Sequence, residues 1–163
     1  FMNDPAVPYL DQQYMLGDAL LVAPVFREDK TAQYYLPEGT WTELLTGETK
    51  EGGRWYQGTY DYFSMPLYIR ENSIVVRGNC DTRPDYDYAD HATVCVYQLK
   101  DAAETKVPDV HGNTVFTVKA VKEGDAVKVS VEGAHTELKV EVFVENEKKE
   151  AVLAADADEV VVA

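Results

Sequence analysis

Between residues 116 and 144 the chain alternates apolar and polar side chains at every second position, and that period constrains the fold more than any other feature. Val127, Val129 and Val131 alternate with Lys128, Ser130 and Glu132. Leu138, Val140, Val142 and Val144 alternate with Glu137, Lys139, Glu141 and, out of pattern, Phe143. Phe116, Val118 and Ala120 alternate with Thr117, Lys119 and Val121. A period of two places each apolar set on one face of a pleated strand. Thr93–Leu99 is mostly apolar, and Glu159–Val162 closes the set. Glu123-Gly124-Asp125 and Gly112-Asn113 are turn signals between the runs. The pattern predicts an antiparallel sandwich with one wet face per sheet.

Upstream the signals are β as well, but less regular. Ala19–Ala23 is a continuous apolar run, which reads as a strand covered on both faces and stopped by Pro24. Thr31–Leu36 and Thr40–Thr46 flank Pro37-Glu38-Gly39 and are expected to form a hairpin. Gly52-Gly53 marks a turn before Arg54-Trp55-Tyr56, and 67–69 with 74–76 suggest a further short hairpin around Glu71-Asn72-Ser73. The one helical candidate lies at the start. Asp4-Pro5 offers a cap and first position, Pro8 interferes with a helix begun there, and a short helix from near Pro8 to before Gly17 is expected. Residues 79–91 are acidic, aromatic and irregular, so a domain boundary is placed near Asn79. Tyr86 and Tyr88 are expected to anchor that connector between two halves. The fold class is mainly β: two small antiparallel sheet or sandwich domains, with a short N-terminal helical segment.

Charge narrows the partners. The 163 residues carry 15 Lys and Arg against 29 Asp and Glu, a net charge of −14, which disfavours nucleic acid and anionic membranes. No apolar run approaches the roughly 20 residues that a spanning helix needs. Cys80 and Cys95 are too few for a disulfide scaffold and allow one bridge or none. The start Phe1-Met2-Asn3 has neither a charged n-region nor an apolar h-region, and reads as cut from a longer chain.

No catalytic constellation stands out. There is no Gly-x-Ser-x-Gly, no Gly-rich phosphate loop and no Cys-x-x-Cys. His91, His111 and His135 are scattered near turns. The acids Asp81, Asp85, Asp87 and Asp90 beside His91 invite calcium, but an EF-hand would need an oxygen ligand at Ala89 and glycine at Asp90. No metal site and no cofactor are assigned. A glycosidase would need two carboxylates about 5–9.5 Å apart, and nothing in the sequence singles out such a pair. Trp41, Trp55, Tyr56, Tyr60 and Tyr62 are close in sequence. Aromatic faces stack on pyranose rings, so Trp41, Trp55 and Tyr56 are the candidate carbohydrate-binding residues, set against the commoner role of strand aromatics as core.

Several motifs carry a family resemblance. Asp4-Pro5-Ala6, then Leu10–Val25 (LDQQYMLGDALLVAPV), resembles the segment that leaves the catalytic barrel in glycoside hydrolase family 31. Tyr35–Thr42 (YLPEGTWT), Thr46-Gly47-Glu48, Gly53-Arg54-Trp55 and Pro66–Arg70 (PLYIR) resemble that family's first C-terminal β-domain. Arg83-Pro84-Asp85-Tyr86 is similar to its α-xylosidase branch. The resemblance implies three segments: 1–18 as the remnant after the last barrel strand, 19–80 as the proximal β-domain and 81–163 as the distal β-sandwich.

It also implies a retaining α-glycosidase of the α-xylosidase or α-glucosidase type as the parent. The family's nucleophile lies in a Trp-x-Asp-Met-Asn type motif of the barrel, and no such motif occurs here, so no catalytic residue is carried onto this chain. The implied partner is the parent's barrel, which these domains would brace, leaving an exposed apolar patch on residues 1–26. Rival roles are oligosaccharide binding and homo-oligomer assembly through the strand edges of 92–163. The expected compartment is the cytoplasm, from few cysteines and the habit of bacterial family members.

Overall fold

The computed structural model describes residues 1 and 3–163, and the chain divides into two compact units, residues 1–71 and 72–163. The first unit opens with a single 3₁₀ turn, Val7–Tyr9, not a longer helix. Two backbone N–H groups are missing at Pro5 and Pro8, and the rest of the expected helix is claimed by a sheet. Tyr14–Leu16 forms β1 and pairs antiparallel with β2, Leu20–Val22. Gly17, at φ 64°, makes the reversal between them. The apolar run reads as expected: Leu21, Val22 and Ala23 are buried.

The next four strands form one bent ribbon. They are β3 (Thr31–Leu36), β4 (Thr40–Glu43), β5 (Thr49–Glu51) and β6 (Arg54–Thr59). The expected 31–46 hairpin does not form. β3 pairs with β6, from Thr31↔Thr59 to Leu36↔Arg54, and β4 pairs with β5, from Thr40↔Glu51 to Thr42↔Thr49. Pro37-Glu38-Gly39 is therefore a corner and not a reversal. Three residues there stand opposite two, Gly52 and Gly53, which is a bulge that bends the ribbon. The Gly52 N–H donates to the Gly39 carbonyl and the Gly53 N–H to the Leu36 carbonyl, both at 2.7 Å. A Cβ on Gly52 would lie 1.7 Å from the Pro37 carbonyl oxygen, so only glycine fits.

The bend carries β4 and β5 into a second sheet of order β1-β2-β7-β4-β5, where β7 is Leu67–Arg70. Leu21, Ala23, Tyr34, Leu36, Trp41 and Tyr68 form the core, with Met15, Tyr56 and Tyr60 against it.

The second unit is the sandwich that the alternation predicts. β8 (Ser73–Arg77), β9 (Thr93–Tyr97), β10 (Ala102–Pro108) and β11 (Thr114–Glu123) are followed by β12 (Ala126–Gly133), β13 (Leu138–Val144), β14 (Glu147–Leu153) and β15 (Glu159–Val162). One sheet has the order β10-β11-β12-β15, the other β14-β13-β9-β8. Since β7 bonds to β2 and β4 while β8 bonds to β9, the expected 67–76 hairpin is absent. β11 and β12 do form a hairpin around Gly124-Asp125. One pair departs from the antiparallel expectation: β13 runs parallel to β9, from Lys139↔Thr93 to Phe143↔Tyr97. The chain between them crosses through the other sheet before it returns, which a parallel pair requires.

The alternating apolar positions face inward. Phe116, Val118, Ala120, Val127, Val129, Val131, Leu138, Val140 and Val142 are buried in one cluster with Val94 and Val96. Glu141 is an exception on the other face of its sheet. It is buried, yet its Oε2 accepts from Arg77 at 2.7 Å, and its Oε1 lies 2.9 Å from Lys139 Nζ and 3.5 Å from Lys148 Nζ. Burial pushes this carboxyl up, but the Lys139 hydrogen bond and the Arg77 and Lys148 charges outweigh it and hold it below its ordinary value.

Two outcomes are expected. Gly52→Ala should lower chain stability by about 2 kcal/mol or more in denaturant titration, because the new methyl overlaps a backbone carbonyl. A carboxyl depressed in the fold contributes stability above its unfolded pKa of about 4.3 and loses it as pH falls. Glu141→Gln should therefore cost about 1–3 kcal/mol at pH 7 and progressively less in titrations run below about pH 4.

Candidate functional site

A strand that carries aromatics on both faces sends alternate rings to opposite environments. Trp55 and Tyr56 are neighbours on β6 and part company in this way. Trp55 is 50% exposed and packs by one edge against Tyr35, with ring centroids 5.6 Å apart and planes at 53°. Tyr56 turns inward onto Tyr34, ring centroids 5.9 Å apart, and its hydroxyl donates to the Glu51 carbonyl at 2.7 Å. Trp41 is 1% exposed; its Nε1 donates to the Pro37 carbonyl at 2.7 Å, fixing the corner from inside. The three residues expected to bind carbohydrate are thus not brought together. Trp41 offers no free face, Tyr56 belongs to a packed cluster, and Trp55 alone presents a ring to solvent.

The packed cluster surrounds a lysine. Lys50 Nζ donates to the Tyr68 hydroxyl at 2.6 Å and the Tyr34 hydroxyl at 3.1 Å. It also lies 5.0 Å from the Tyr56 ring centroid and 5.1 Å from that of Tyr68, within cation–π range. Tyr34 and Tyr68 hydroxyls are 2.9 Å apart, and Tyr60 donates to Tyr34 at 3.2 Å. Burial, as the largest cause, holds the Tyr34, Tyr60 and Tyr68 phenols well above their ordinary value. The cluster closes the core under the bent ribbon; the Tyr34, Tyr60 and Tyr68 hydroxyls are engaged with one another and with Lys50.

Exposed apolar side chains mark another surface of this unit. Tyr62 is 96% exposed and Phe63 91%. The turn that lifts them is pinned: Asp61 Oδ1 accepts from the Phe63 N–H at 2.9 Å and from Ser64 Oγ at 2.7 Å. The Ser64 and Phe63 bonds hold the Asp61 carboxyl below its ordinary value. Tyr14, Leu16 and Phe26 are exposed as well. No sequence period reveals the direction of Phe63, because it lies in a loop and not on a strand.

Residues 79–91 use their acids to shape turns. Asp87 Oδ1 accepts from the Ala89 N–H at 3.0 Å, and Tyr88 donates to the Pro84 carbonyl at 2.7 Å. Tyr86 and Tyr88 meet edge to face at 4.9 Å. Asp90 Oδ1 and His91 Nδ1 are 2.7 Å apart on the surface. Among the described residues no three His, Cys, Asp or Glu are grouped to hold a metal ion. His135 Nδ1 lies 2.7 Å from its neighbour's carbonyl, that of Thr136, and its ring meets Phe116 edge to face. Cys80 and Cys95 are free thiols, and burial pushes Cys95 up to about 11. Glu141, the buried carboxylate among the described residues, is depressed in pKa; a general acid needs the opposite.

Comparison with known proteins settles what this architecture is. Residues 1–75 match the glycosyl hydrolase family 31 C-terminal domain, and residues 87–163 match the C-terminal domain of the α-xylosidase YicI. The chain belongs to the C-terminal domains of glycosyl hydrolase family 31. An α-xylosidase, XylQ of Lactiplantibacillus pentosus, is 33% identical over 74% of this chain and 16% of its own length. α-Glucosidase 2 of Bacillus thermoamyloliquefaciens is 27% identical over 90% of the chain and 18% of its own length. Among solved structures, the family 31 α-xylosidase of Xanthomonas citri matches with TM-score 0.76 and 26% identity, over 99% of this chain and 20% of that one. The chain thus spans at most a fifth of each of these relatives.

The tyrosine cluster gives a measurable signature. In spectrophotometric titration Tyr34, Tyr60 and Tyr68 should fail to ionise near the ordinary phenol value of about 10. A phenol raised in the fold contributes stability below that value and loses it as pH climbs further, so unfolding should accompany their ionisation. Tyr68→Phe leaves Lys50 one hydroxyl partner and should cost about 1 kcal/mol in denaturant titration.

Proposed function

We propose that this chain is the non-catalytic C-terminal part of a retaining α-glycosidase of the α-xylosidase type, and that its first unit braces that enzyme's catalytic barrel. The observation that carries the proposal is the pinned turn that holds Tyr62 and Phe63 almost fully in solvent. Exposed aromatic side chains on a fixed turn are a contact surface suited to a partner. Tyr14, Leu16 and Phe26 supply further apolar surface on the same unit. Relatives of which this chain spans at most a fifth supply the candidate partner: the remaining chain of such an enzyme.

Bracing is a catalytic contribution without catalytic residues. Barrel enzymes carry their chemistry on loops at one end of the strands, and a misplacement of about 1 Å there costs about 10²-fold in rate. A packed β-unit against the barrel limits such drift. The substrate class, α-xylosides and related α-glucosides, is read from the names of the relatives XylQ and α-glucosidase 2.

The test uses the full-length enzyme that carries this chain. A double variant, Tyr62→Ser with Phe63→Ser, should lower its melting temperature and reduce kcat on an aryl α-xyloside by about tenfold or more. The same two changes should leave the melting of the isolated chain unaltered, since both side chains are exposed there. Unchanged melting and kcat in the full-length variant would refute the brace. Hydrolysis by the isolated chain that persists through repurification would refute the non-catalytic assignment.

A further inference from the structure

The exposed ring of Trp55 forms one wall of a cleft of about 170 Å³ that neither the tyrosine cluster nor the brace uses. Tyr9, 81% exposed, lines it as well, and Asp11, Gln12 and Gln33 bring polar groups. Gln33 and Trp55 share the outer face of the bent ribbon. Their pairing partners Gln57 and Tyr35 stand one step along on the same face, so Gln33 and Trp55 are diagonal neighbours. Alternation therefore places an amide beside an indole at the mouth of the cleft.

The opposite wall is held firmly in place. Gln13 Nε2 donates to the Tyr35 carbonyl at 2.8 Å, and Gln13 Oε1 accepts from the Tyr35 N–H at 2.7 Å. One side-chain amide thus takes the place of a partner strand on the edge of β3 and fastens the segment 10–13 beside the ribbon. Asp11 and Gln12, both exposed, are carried by that fastened segment. A site whose walls are fixed before binding loses less entropy on occupation.

We propose that this cleft binds a single neutral pyranose ring, presented as a free glycoside or as the end of an oligosaccharide. The chemistry is complementary. A pyranose has an apolar face for the Trp55 ring, and its equatorial rim of hydroxyls both donates and accepts. Gln33 and Gln12 amides do both in return, and the Asp11 carboxylate accepts. The cleft is below the roughly 300 Å³ of drug-sized pockets, which matches one ring and not a chain of them. A net charge of −14 with Asp11 at the mouth selects against anionic sugars. The inference does not rest on the brace, which is read in the melting and turnover of the full-length enzyme.

The test uses the 163-residue chain, whose two indoles differ in exposure: Trp41 is buried and Trp55 half in solvent. Methyl α-xylopyranoside or methyl α-glucopyranoside should change the tryptophan fluorescence saturably with a Kd of about 1–10 mM, and give matching heat by calorimetry. Glucuronate should give neither. Trp55→Ala should weaken binding about tenfold and Gln33→Ala several-fold. Trp55→Phe should keep calorimetric binding while the fluorescence response disappears, because Trp41 is sealed in the core. Tyr62→Ser should change nothing. No saturable response to either glycoside, equal binding of glucuronate, or unaltered affinity in both Trp55→Ala and Gln33→Ala would overturn the proposal.

Discussion

The first unit depends on a close approach of two backbones. At the corner of its ribbon the Pro37 carbonyl lies where a side chain on residue 52 would begin, and Gly52 leaves that space open. The bulge there lets one pair of strands serve two sheets: 31–36 with 54–59, then 40–43 with 49–51. Trp41 braces the corner from inside through its bond to Pro37, and Leu36 and Tyr34 fill the space beneath it. A straight hairpin would have left Trp41 and the apolar run at 20–23 without a common core. The bend also turns the Gln33–Trp55 face outward, where an exposed cleft can form.

The second unit solves a different problem. Its apolar sets at every second residue need only a second sheet to cover them, and two four-stranded sheets do this. The cost falls on the outer face, where Glu141 is buried among long cationic side chains. Its attraction to Arg77, Lys139 and Lys148 offsets the loss of water, and the carboxylate stays ionised. Lys139 and Lys148 also pair with Glu150, at 3.2 and 2.7 Å, so three cations and two carboxylates form one network on this face.

Ionisable groups in both units are engaged by neighbours: the Tyr34 and Tyr68 phenols by Lys50, and Glu141 by its cations, with the Cys95 thiol 3.7 Å from the Glu141 Oε2. The surface of the first unit carries a pinned pair of aromatic side chains and a narrow cleft with a half-exposed indole. They differ in chemistry, since one is apolar and projecting while the other is concave and rimmed by amides.

The β class, the sandwich of the second unit, the inward set from Phe116 to Val142 and, through the motifs around residues 4–90, the family are legible in the order of residues alone. Those features are local: a period of two or a motif is written in consecutive residues. Pairing partners are not local. The turns at 37–39 and 71–73 suggest hairpins over 31–46 and 67–76, yet β3 pairs with β6, β7 with β2 and β4, and β8 with β9. The helix expected before Gly17 yields to β1, which pairs locally with β2 across the turn at Gly17. The candidate site divides along this line as well. Trp55 was legible as an aromatic on a strand, but whether Trp41, Trp55 and Tyr56 faced solvent, corner or core depended on how the ribbon bent. That bend was decided by a carbonyl and a glycine fifteen residues apart, a contact that only the tertiary structure makes.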